Sequence, residues 1–401
     1  MNGAILVLTV GIAVTGSNSL VLSPILGDVA QALGTTPVAV SRALAAYGGA
    51  TALSAFLLAP RIDRVGARRA LSAGMVALTA AMLLSAAARD WLFLALAQGL
   101  AGLGAGIVLP ATYTLATTIA TKGTEATVLG RVLTGWSVSL VVGVPAAALL
   151  TDLAGWRAPF LTLAALAAAA LAGTLRLPAA RPAPAAAEPG SPLAALAYPG
   201  VAPLLLVCLA FMAAFYGTYA FVGYAVRQAT GASAGWVGLV VLSYGIGFGA
   251  ASLADRLVDR LGCERVLPWS LAAVACVYLA LIPATAALWS AAAATLAWGF
   301  ANHLCLNTLI VLLARTRPER RGAVLGLNSA VTYLGALVGT ACAGILLPQL
   351  GFSAVCTIAG LLVAGAALVA RTQLPGSPVR APGREGTLAP CARAAGSDAM
   401  R

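Results

Sequence analysis

The sequence predicts an all-α polytopic membrane protein with twelve transmembrane helices in two parallel six-helix repeats. This fold class follows from the apolar composition, from a series of long apolar runs and from an internal repeat. Hydrophobic residues make up 61% of the 401-residue chain, and charged residues only 9%. Since a soluble domain carries about 25% charged residues, this chain cannot cover a water-facing surface with polar groups. The composition therefore argues against a soluble domain, a disordered chain and a nucleic-acid-binding protein.

The membrane-spanning segments can be counted from the apolar runs. A transmembrane helix needs about 20 mostly apolar residues, and charges, prolines and Gly-Trp corners divide the chain into twelve such runs. A transmembrane β-barrel would show short alternating segments instead. We therefore predict helical spans near 4–24, 37–59, 70–88, 92–115, 128–150, 158–175, 200–222, 236–256, 266–285, 288–313, 323–347 and 352–370.

The distribution of Lys and Arg predicts how the spans are oriented. Of the 24 basic residues, only Arg42, Arg89, Arg157 and Arg227 lie in odd-numbered gaps between spans. All the others lie in even-numbered gaps or in the tail. Because cytoplasmic loops are enriched in Lys and Arg, we expect both termini and the central loop in the cytoplasm. The net charge of +12 then reflects topology and does not require an anionic partner.

An internal repeat with an offset of 196 residues relates the two halves of the chain without a gap. Two six-span halves in the same orientation are parallel repeats, and duplicated bundles around a midplane site are what an alternating-access carrier needs. The aligned blocks include Asp63, Arg64, Gly66 and Arg69 with Asp259, Arg260, Gly262 and Arg265, and 128–130 with 324–326.

The repeat also predicts the domain boundaries. Residues 1–175 would form the N-terminal six-helix bundle and residues 200–370 the C-terminal bundle. Residues 176–199 are rich in Pro and Ala and are expected to form an extended cytoplasmic linker. Residues 371–401 are polar and are expected to form a disordered cytoplasmic tail.

The chain lacks the sequence signatures of a metalloprotein, an ATPase or an enzyme. Its seven cysteines have neither CxxC spacing nor histidine companions, so we expect neither a zinc site nor a disulfide framework. We find no Walker sequence, and the Gly-x-Gly patterns lie within apolar helices, where they favour close helix packing over nucleotide binding. No nucleophile–base pair stands out. The expected partners are the lipid bilayer and a small-molecule substrate, with no cofactor, ATP or nucleic acid.

The segment 59–69 (APRIDRVGARR) resembles the loop between spans 2 and 3 of the major facilitator superfamily. The superfamily pattern is Gly-x-x-x-Asp-Arg-x-Gly-Arg-Arg; Ala59 replaces its first glycine and Ala67 its first trailing arginine. A partial copy of the pattern lies in the second half, at 259–262. The resemblance covers about residues 4–370 and implies the major facilitator fold.

Within this superfamily the chain is most similar to bacterial twelve-span drug:proton antiporters, in the branch with sugar, nucleoside and chloramphenicol exporters. The passage from span 1 to span 2 (GSNSLVLSPILGDVAQALG) and the Gly143-Val-Pro145 corner of span 5 carry this similarity. Three positions depart from the pattern. The branch often has Glu where this chain has Ser19, many antiporters have Arg where it has Ala95, and the Gly-Pro pair of the general antiporter signature in span 5 is Val144-Pro145 here. The resemblance implies an efflux antiporter in the bacterial cytoplasmic (inner) membrane, of the kind that confers multidrug resistance. Since a carrier with its cavity between two halves works as a monomer, we expect a monomer.

The same resemblance implies a gate in the loops that carry the Asp-Arg-x-Gly pattern. A carboxylate at the mouth of spans 2 and 3 can dock against a helix N-terminus or pair with an arginine, which would latch the two halves together. The alternative interpretation is a solvated positive-inside loop. The residues concerned are Asp63, Arg64, Gly66, Arg68 and Arg69 in the first half, and Asp259, Arg260 and Gly262 in the second.

Polar residues inside the spans are candidates for lining a substrate cavity. In the superfamily, spans 1, 4, 7 and 10 line the central cavity, and uncharged amide, hydroxyl and aromatic groups there would suit a neutral or weakly polar organic substrate. The alternative is interhelical hydrogen bonding, which membrane bundles use widely. The candidates are Asn18, Ser19, Gln98, Tyr113, Tyr216, Tyr219, Asn302, His303 and Asn307.

A proton-driven carrier needs a titratable group that exchanges protons within the membrane. The spans contain almost no ionisable group away from their ends. Asp28 and His303 are the two candidates; their alternative roles are a loop or cap residue and a neutral, hydrogen-bonded packing residue.

The sequence therefore predicts a secondary-active transporter that exports a small organic molecule in exchange for protons. An importer or facilitator of the same fold is the nearest alternative, favoured by the missing acid at Ser19. A ligand-binding receptor with a transporter-like fold is a further alternative, although a protein that does not cycle has no need of a gate. The least favoured alternative is an intramembrane enzyme centred on His303.

Overall fold

The computed structural model describes residues 2–58, 62–120, 124–177, 196–316 and 321–373. A π-helical turn, Ser139–Gly143, joins α7 to α8, and a 3-10 turn, Ala251–Ala254, joins α11 to α12. The α-helices in the described ranges are α1 (Asn2–Leu20), α2 (Leu22–Ala32), α3 (Pro37–Leu57), α4 (Ile62–Val65), α5 (Ala67–Ala86), α6 (Trp91–Ile119), α7 (Glu125–Val138), α8 (Val144–Ala154), α9 (Ala158–Leu175), α10 (Val201–Thr230), α11 (Ala234–Ala250), α12 (Asp255–Leu261), α13 (Cys263–Ala284), α14 (Leu288–Thr316) and α15 (Arg321–Gln373).

These helices make twelve passes. Ten stretches of the described chain are long and apolar enough to cross a membrane. The last of them, Val324–Thr372, has 49 residues and contains two passes, because Gly351 interrupts the helix with a φ of 75°. The remaining pass is α3, which has 21 residues and packs against α6 and α15. The predicted all-α fold with twelve spans is confirmed.

Two spans are longer than the sequence predicts. Span 1 continues through α2 to Ala32, and span 7 continues to Thr230. The extra turns carry Asp28 and Arg227, whose charges ended the apolar runs in the sequence. A helix can continue past such charges when they find partners within the protein, which is the case here.

The two ends of the bundle can be named from the course of the chain. Because the passes alternate in direction, both ends of the described chain, Asn2 and Gln373, lie at one end of the bundle, which we call the terminal end. Helices α4 and α12 also lie there. The opposite end, with the corner at Gly155 and the corner at Gly351, is the distal end.

Much of the predicted linker and tail falls outside the described residues, which omit 178–195 and 374–401. Helix α15 ends at Gln373, so the first residues of the predicted tail belong to that helix.

Two pairs of glycines one repeat apart share a backbone conformation. Gly66 has φ 90° and ψ 129°, and Gly262 has φ 87° and ψ 133°. Gly155 has φ 82° and ψ 163°, and Gly351 has φ 75° and ψ 176°. Residues with a Cβ rarely adopt such positive φ values, so these corners require glycine. Their repetition shows that the two halves turn at equivalent positions.

The buried side chains form two large hydrophobic clusters, one mostly from each half. The first includes Leu8 and Phe160, and the second includes Phe211 and Trp298. Many large apolar side chains point outward instead; Leu253, for example, is 87% exposed. A helical bundle with an apolar outer surface is what a lipid environment requires.

Candidate transport pathway

The two halves contact each other along two symmetric helix pairs. In one pair, Gly48 of α3 lies against Ala336 and the backbone of Leu337 in α15. In the other, Gly245 of α11 lies against the backbone of Leu140 in the π-helical turn of span 5. Ala336 and Leu140 are one repeat apart. Glycine allows the backbones to approach closely at both places, so the repeat extends to the interface between the halves.

A third contact lies on the axis that relates the halves. The hydroxyl of Ser23 in α2 donates a hydrogen bond to the backbone carbonyl of Tyr219 in α10, and the two residues are 196 positions apart. Equivalent positions of a repeat contact each other only near the symmetry axis. Spans 1 and 7 therefore meet at the centre of the molecule.

The contacts between the halves run from the middle of the bundle to its distal end. Beyond the pairs already named, Gly344 lies against Ser41, and Gly238 lies against Ala148. At the terminal end, by contrast, α4 packs on α5 and α6, and α12 packs on α13 and α14, each within its own half.

A small cavity lies at the centre, between the halves. Its volume of about 10 Å³ is room for about one water molecule. Uncharged polar and apolar side chains from spans 1, 2, 7 and 11 line it: Ser19, Leu20, Ser23, Leu44, Tyr47, Tyr216, Tyr219, Ala220, Ala336 and Thr340. Three residues that the sequence predicted as cavity residues, Ser19, Tyr216 and Tyr219, therefore lie together at the interface. Spans 2 and 11 contribute in addition to spans 1 and 7.

A larger cleft of about 740 Å³ lies at the distal end and shares no lining residue with the central cavity. It lies between the start of α3, the end of α10 and the Gly351 corner. Thr36, Tyr224, Gln228 and Thr285 contribute its polar groups, and the hydroxyl of Tyr224 accepts a hydrogen bond from Gln228 at 2.6 Å.

Two of the predicted cavity residues pair with each other inside the first half. The amides of Asn18 and Gln98 exchange hydrogen bonds of 3.0 and 3.3 Å, and Gln98 Nε2 also donates to Ser85 Oγ at 3.0 Å. Asn18 and Gln98 are almost completely buried. This network joins α1, α5 and α6. Tyr113, also on α6, is half-buried closer to the terminal end.

The other predicted polar residues collect around an acid in the second half. Asp255, the first residue of α12, has its Oδ1 atom 2.8 Å from Asn307 Nδ2 and 3.2 Å from His303 Nε2. Asn302, which directly precedes His303 in the chain, donates to the hydroxyl of Tyr244 at 3.0 Å. His303, Asn307 and Asn302 are on α14, so this cluster connects span 10 to span 8 and to its continuation in α12.

An aromatic cluster surrounds these polar groups in the second half. The ring of Phe215 packs against Tyr219, Tyr244 and Trp298 with ring-centre distances of 5.2 to 5.7 Å. The ring of Phe248 contacts the imidazole of His303 edge to face at 4.9 Å. Tyr219 belongs both to this cluster and to the central cavity, so the cavity has an aromatic wall on one side.

At the distal end, two acids of the first half contact the second half. Asp28 on α2, the predicted proton-coupling candidate, forms an ion pair with Arg227 on α10. Asp152 on α8 accepts hydrogen bonds from the first turn of α11, at Ala234 N (3.1 Å) and Gly235 N (2.8 Å). Both acids therefore connect the halves on the side where they are in contact.

The structure describes the predicted gating residues in part. The side chains of Asp63, Arg64 and Asp259 lie outside the described residues. Gly66 and Gly262 end α4 and α12 at the terminal end. Arg68 donates to the carbonyl of Leu177 at 2.6 Å, at the start of the predicted linker, whereas Arg69 and Arg260 are exposed.

Sequence reasoning missed Asp152, Arg227 and Asp255 as interacting residues. Arg227 was counted as a basic residue in a gap between spans, and neither acid was singled out. Asp255 aligns with Ala59 in the repeat, so the first half offered no equivalent acid to draw attention to it. That difference between the halves was the one available signal. Among the described residues, no group of three His, Cys, Asp or Glu side chains could hold a metal ion.

The chain is similar to known transporters over most of its length. The family model described as Major Facilitator Superfamily matches residues 8–316 and 225–397. An uncharacterized MFS-type transporter, YwfA of Bacillus subtilis, is 27% identical over 87% of this chain and 87% of its own. A chloramphenicol resistance protein of Streptomyces lividans is 28% identical over 63% of this chain and 66% of its own.

The fold is also similar to that of a solved structure. The crystal structure of the human organic anion transporter MFSD10 (TETRAN) matches with a TM-score of 0.68 at 17% sequence identity. The match covers 92% of this chain and 99% of the human one. At that level of identity the likeness concerns the fold alone.

Proposed function

The chain belongs to the major facilitator superfamily and is a transmembrane transporter, and we propose that it exports a small organic molecule in exchange for protons by alternating access. The observation that carries the proposal is the central cavity between the two halves. In the contacts described above, the halves meet from this cavity to the distal end. Alternating access requires a site between two halves that can be closed on one side and opened on the other.

The proposed orientation places the terminal end in the cytoplasm. The basic residues concentrate in the loops at that end, as the positive-inside rule requires of cytoplasmic loops. Bacterial relatives support the cytoplasmic (inner) membrane as the location. In this orientation the described conformation is closed towards the outside, and a substrate would enter from the cytoplasm.

The proposed substrate is a neutral or weakly polar organic molecule. Hydroxyl, aromatic and aliphatic groups line the central cavity, and none of the described side chains in its wall is charged. Such a lining orients a ligand through a few hydrogen bonds and otherwise through apolar contact. The similarity to a chloramphenicol resistance protein supports export of a compound of this class.

We assign the gate at the cytoplasmic end to the two loops that carry Asp63 and Arg64 and, in the second half, Asp259 and Arg260. Their glycines, Gly66 and Gly262, have matching conformations, which supports equivalent roles. The two bundles, 1–175 and 200–370, would be the moving units, with the linker between them. Since the cavity lies between the halves of one chain, a monomer suffices for transport.

An accumulation assay tests the proposal. The gene is expressed in an efflux-deficient bacterium, and the uptake of radiolabelled chloramphenicol, a sugar panel and a nucleoside panel is followed with and without a protonophore. We expect lower accumulation of at least one compound, restored by the protonophore and by Asp63→Asn. The matched control is Asp90→Asn, because Asp90 caps its own helix, α6, by accepting from Phe93 N at 2.8 Å.

The alternatives give different results in the same assay. Higher accumulation would indicate an importer. Equilibration that is faster but insensitive to the protonophore would indicate a facilitator. Saturable binding without any change in flux would indicate a receptor, and each of these results would overturn proton-coupled export.

A further inference from the structure

We propose that His303 binds the proton that is exchanged for substrate, and that Asp255 positions it and transmits its protonation to the cytoplasmic gate. The proposal rests on the proposed proton-coupled export. It replaces Asp28 as the coupling residue, since Asp28 is paired with a cation, Arg227, at the distal end of the bundle.

The location of His303 suits a coupling residue. It lies close to the middle of α14, which has 29 residues and, at 1.5 Å per residue, a length of about 43 Å. An ionisable group at that depth is costly in a membrane protein and usually marks an ion pathway. The side chain of His303 is 17% exposed and that of Asp255 is 38% exposed, so the pair is enclosed but reachable from water.

The contacts of His303 allow it to gain and lose a proton. With its Nε2 hydrogen directed at Asp255, the neutral ring binds a proton at Nδ1 and becomes an imidazolium, whose charge is balanced by the Asp255 carboxylate. When the Nδ1 proton returns to water, Asn307 Nδ2 still donates to Asp255 at 2.8 Å. The carboxylate thus keeps a donor in both states, which lowers the cost of the change.

Asp255 is the charged group that the structure places against the imidazole. Its neighbour Arg256 has its side chain outside the described residues. The other titratable or charged groups with described side chains on α14 and on the helices packed against it are Tyr244 on α11, Arg260 on α12, Cys208, Tyr216, Tyr219, Tyr224 and Arg227 on α10, Cys263, Glu264, Arg265, Cys276 and Tyr278 on α13, Tyr333, Cys342, Cys356 and Arg371 on α15, and Cys305 and Arg315 on α14 itself.

The same contact connects the proton site to the gate. Asp255 is the first residue of α12, directly after the 3-10 turn that ends span 8, and α12 ends at Gly262 in the gating loop of the second half. A positive charge on His303 strengthens the electrostatic attraction between its ring and the carboxylate of Asp255, the first residue of α12. Protonation therefore favours one position of α12 over another, which is the differential interaction that a switch requires.

The first test uses the fact that the chain contains one histidine. The full-length protein, purified with a histidine-free tag in lipid nanodiscs, is labelled with ¹⁵N-histidine and titrated by NMR. We expect one imidazole signal that changes as the ring binds a proton. Asp255→Asn should alter the pH response of that signal, because it removes the carboxylate that faces the ring, whereas Asp152→Asn, a carboxylate at the distal end, should leave it in place.

The second test measures the connection to the gate. Spin labels are placed at Val65 and Leu261, two exposed residues that are one repeat apart in α4 and α12, in a background without other cysteines. We expect the proportions of the label-to-label distances to change at least about threefold between pH 8 and pH 5.5. His303→Gln should hold the distances in one pH-independent distribution.

The outcomes separate this proposal from the proposed function, because neither test needs a substrate. An imidazole that keeps one protonation state over the whole titration, or a pH response unchanged in Asp255→Asn, would overturn the proton site. A titrating His303 with pH-independent distances in the wild-type sequence would overturn its coupling role while leaving export itself open. An accumulation assay without any transported compound would contradict the proposed function and neither of these results.

Discussion

The carboxylate of Asp152 in the first half accepts a hydrogen bond of 2.8 Å from the backbone N–H of Gly235 in the second half. It also accepts from Ala234 N and, at 2.6 Å, from the hydroxyl of Ser233. A carboxylate at the first turn of a helix is stabilised by the free N–H groups and by the helix dipole. Here the acid and the helix belong to different halves, so the interaction lasts only while the distal side is closed.

We expect Asp152→Ala to open the distal side more often. The interaction is partly exposed, so its loss should cost about 1 kcal/mol, which corresponds to a roughly fivefold change in the population of the closed state. The measurement is the alkylation rate of a single cysteine at Thr340, a buried residue of the central cavity, by a membrane-impermeant maleimide added outside. The control is Asp90→Ala, which removes a cap within one half; equal rates in the two variants would contradict the role of Asp152.

The ion pair between Asp28 and Arg227 makes a second contact between the halves at the distal end. Asp28→Arg or Arg227→Asp alone places like charges together, so each should accelerate alkylation at Thr340. Combining the two restores opposite charges and should bring the rate within about twofold of the original value, since such pairs are worth about 1 kcal/mol. Arg157 is the matched control position for Arg227, because it donates to Ala86 O and Ala88 O within its own half.

Double variants of this pair also decide between two roles of Asp28. The swap keeps a carboxylate at the contact, so a second double variant, Asp28→Asn with Arg227→Gln, removes both charges and leaves no group there that can exchange a proton. Retained protonophore-sensitive export in this neutral double variant would therefore fit a structural contact. Export lost in the neutral double variant but kept in the charge-swapped one would return Asp28 to the position of coupling residue and contradict the assignment of His303.

Gly66 and Gly262 should both resist substitution. Each has a φ near 90°, and an alanine there would cost about 1–3 kcal/mol of backbone strain. Thermal unfolding followed with a thiol-reactive dye, which reports exposure of buried cysteines such as Cys208, should show a lower midpoint for Gly66→Ala and Gly262→Ala. Gly130→Ala and Gly326→Ala are the controls; they are also one repeat apart but lie within helices with open space at the Cβ position. An equal loss in the controls would contradict the argument from φ.

The number of spans, the repeat and the corners could be predicted because they depend on local sequence. Apolar runs of sufficient length, and glycines at equivalent corners such as Gly155 and Gly351, carry that information in a few consecutive residues. The partners of the charged residues could not be predicted in this way. Asp28 and Arg227 are 199 positions apart, and their contact depends on how the two halves pack.

The polar residues within the spans illustrate the same limit. Asn18 and Ser19 are neighbours in the sequence, and both were predicted to line the cavity. In the structure Ser19 lies at the cavity, whereas Asn18 turns into the first half and pairs with Gln98. Adjacent residues on a helix point about 100° apart, and hydropathy does not fix the rotation of a helix about its axis. A single sequence therefore identifies such residues as polar without identifying what they contact.

The pair of Asn18 and Gln98 yields a prediction that separates a structural role from a cavity role. Both amides are buried, and each donates to the other. Asn18→Leu leaves Gln98 with an unpaired buried group, and Gln98→Leu does the same to Asn18, so each should lower stability by about 1–3 kcal/mol. The double variant should lose less than the sum of the two, with a coupling of about 0.5–2 kcal/mol.

The thermal-unfolding assay measures the coupling in this cycle, and the accumulation assay measures its effect on substrate choice. We expect the variants to export the same compounds as the original protein, at lower expression. Tyr216→Leu is the matched comparison, because Tyr216 lies at the central cavity and its loss should change the set of exported compounds. A changed set in Asn18→Leu together with additive stability losses would show that the amide pair opens during the cycle and that both side chains then face the substrate.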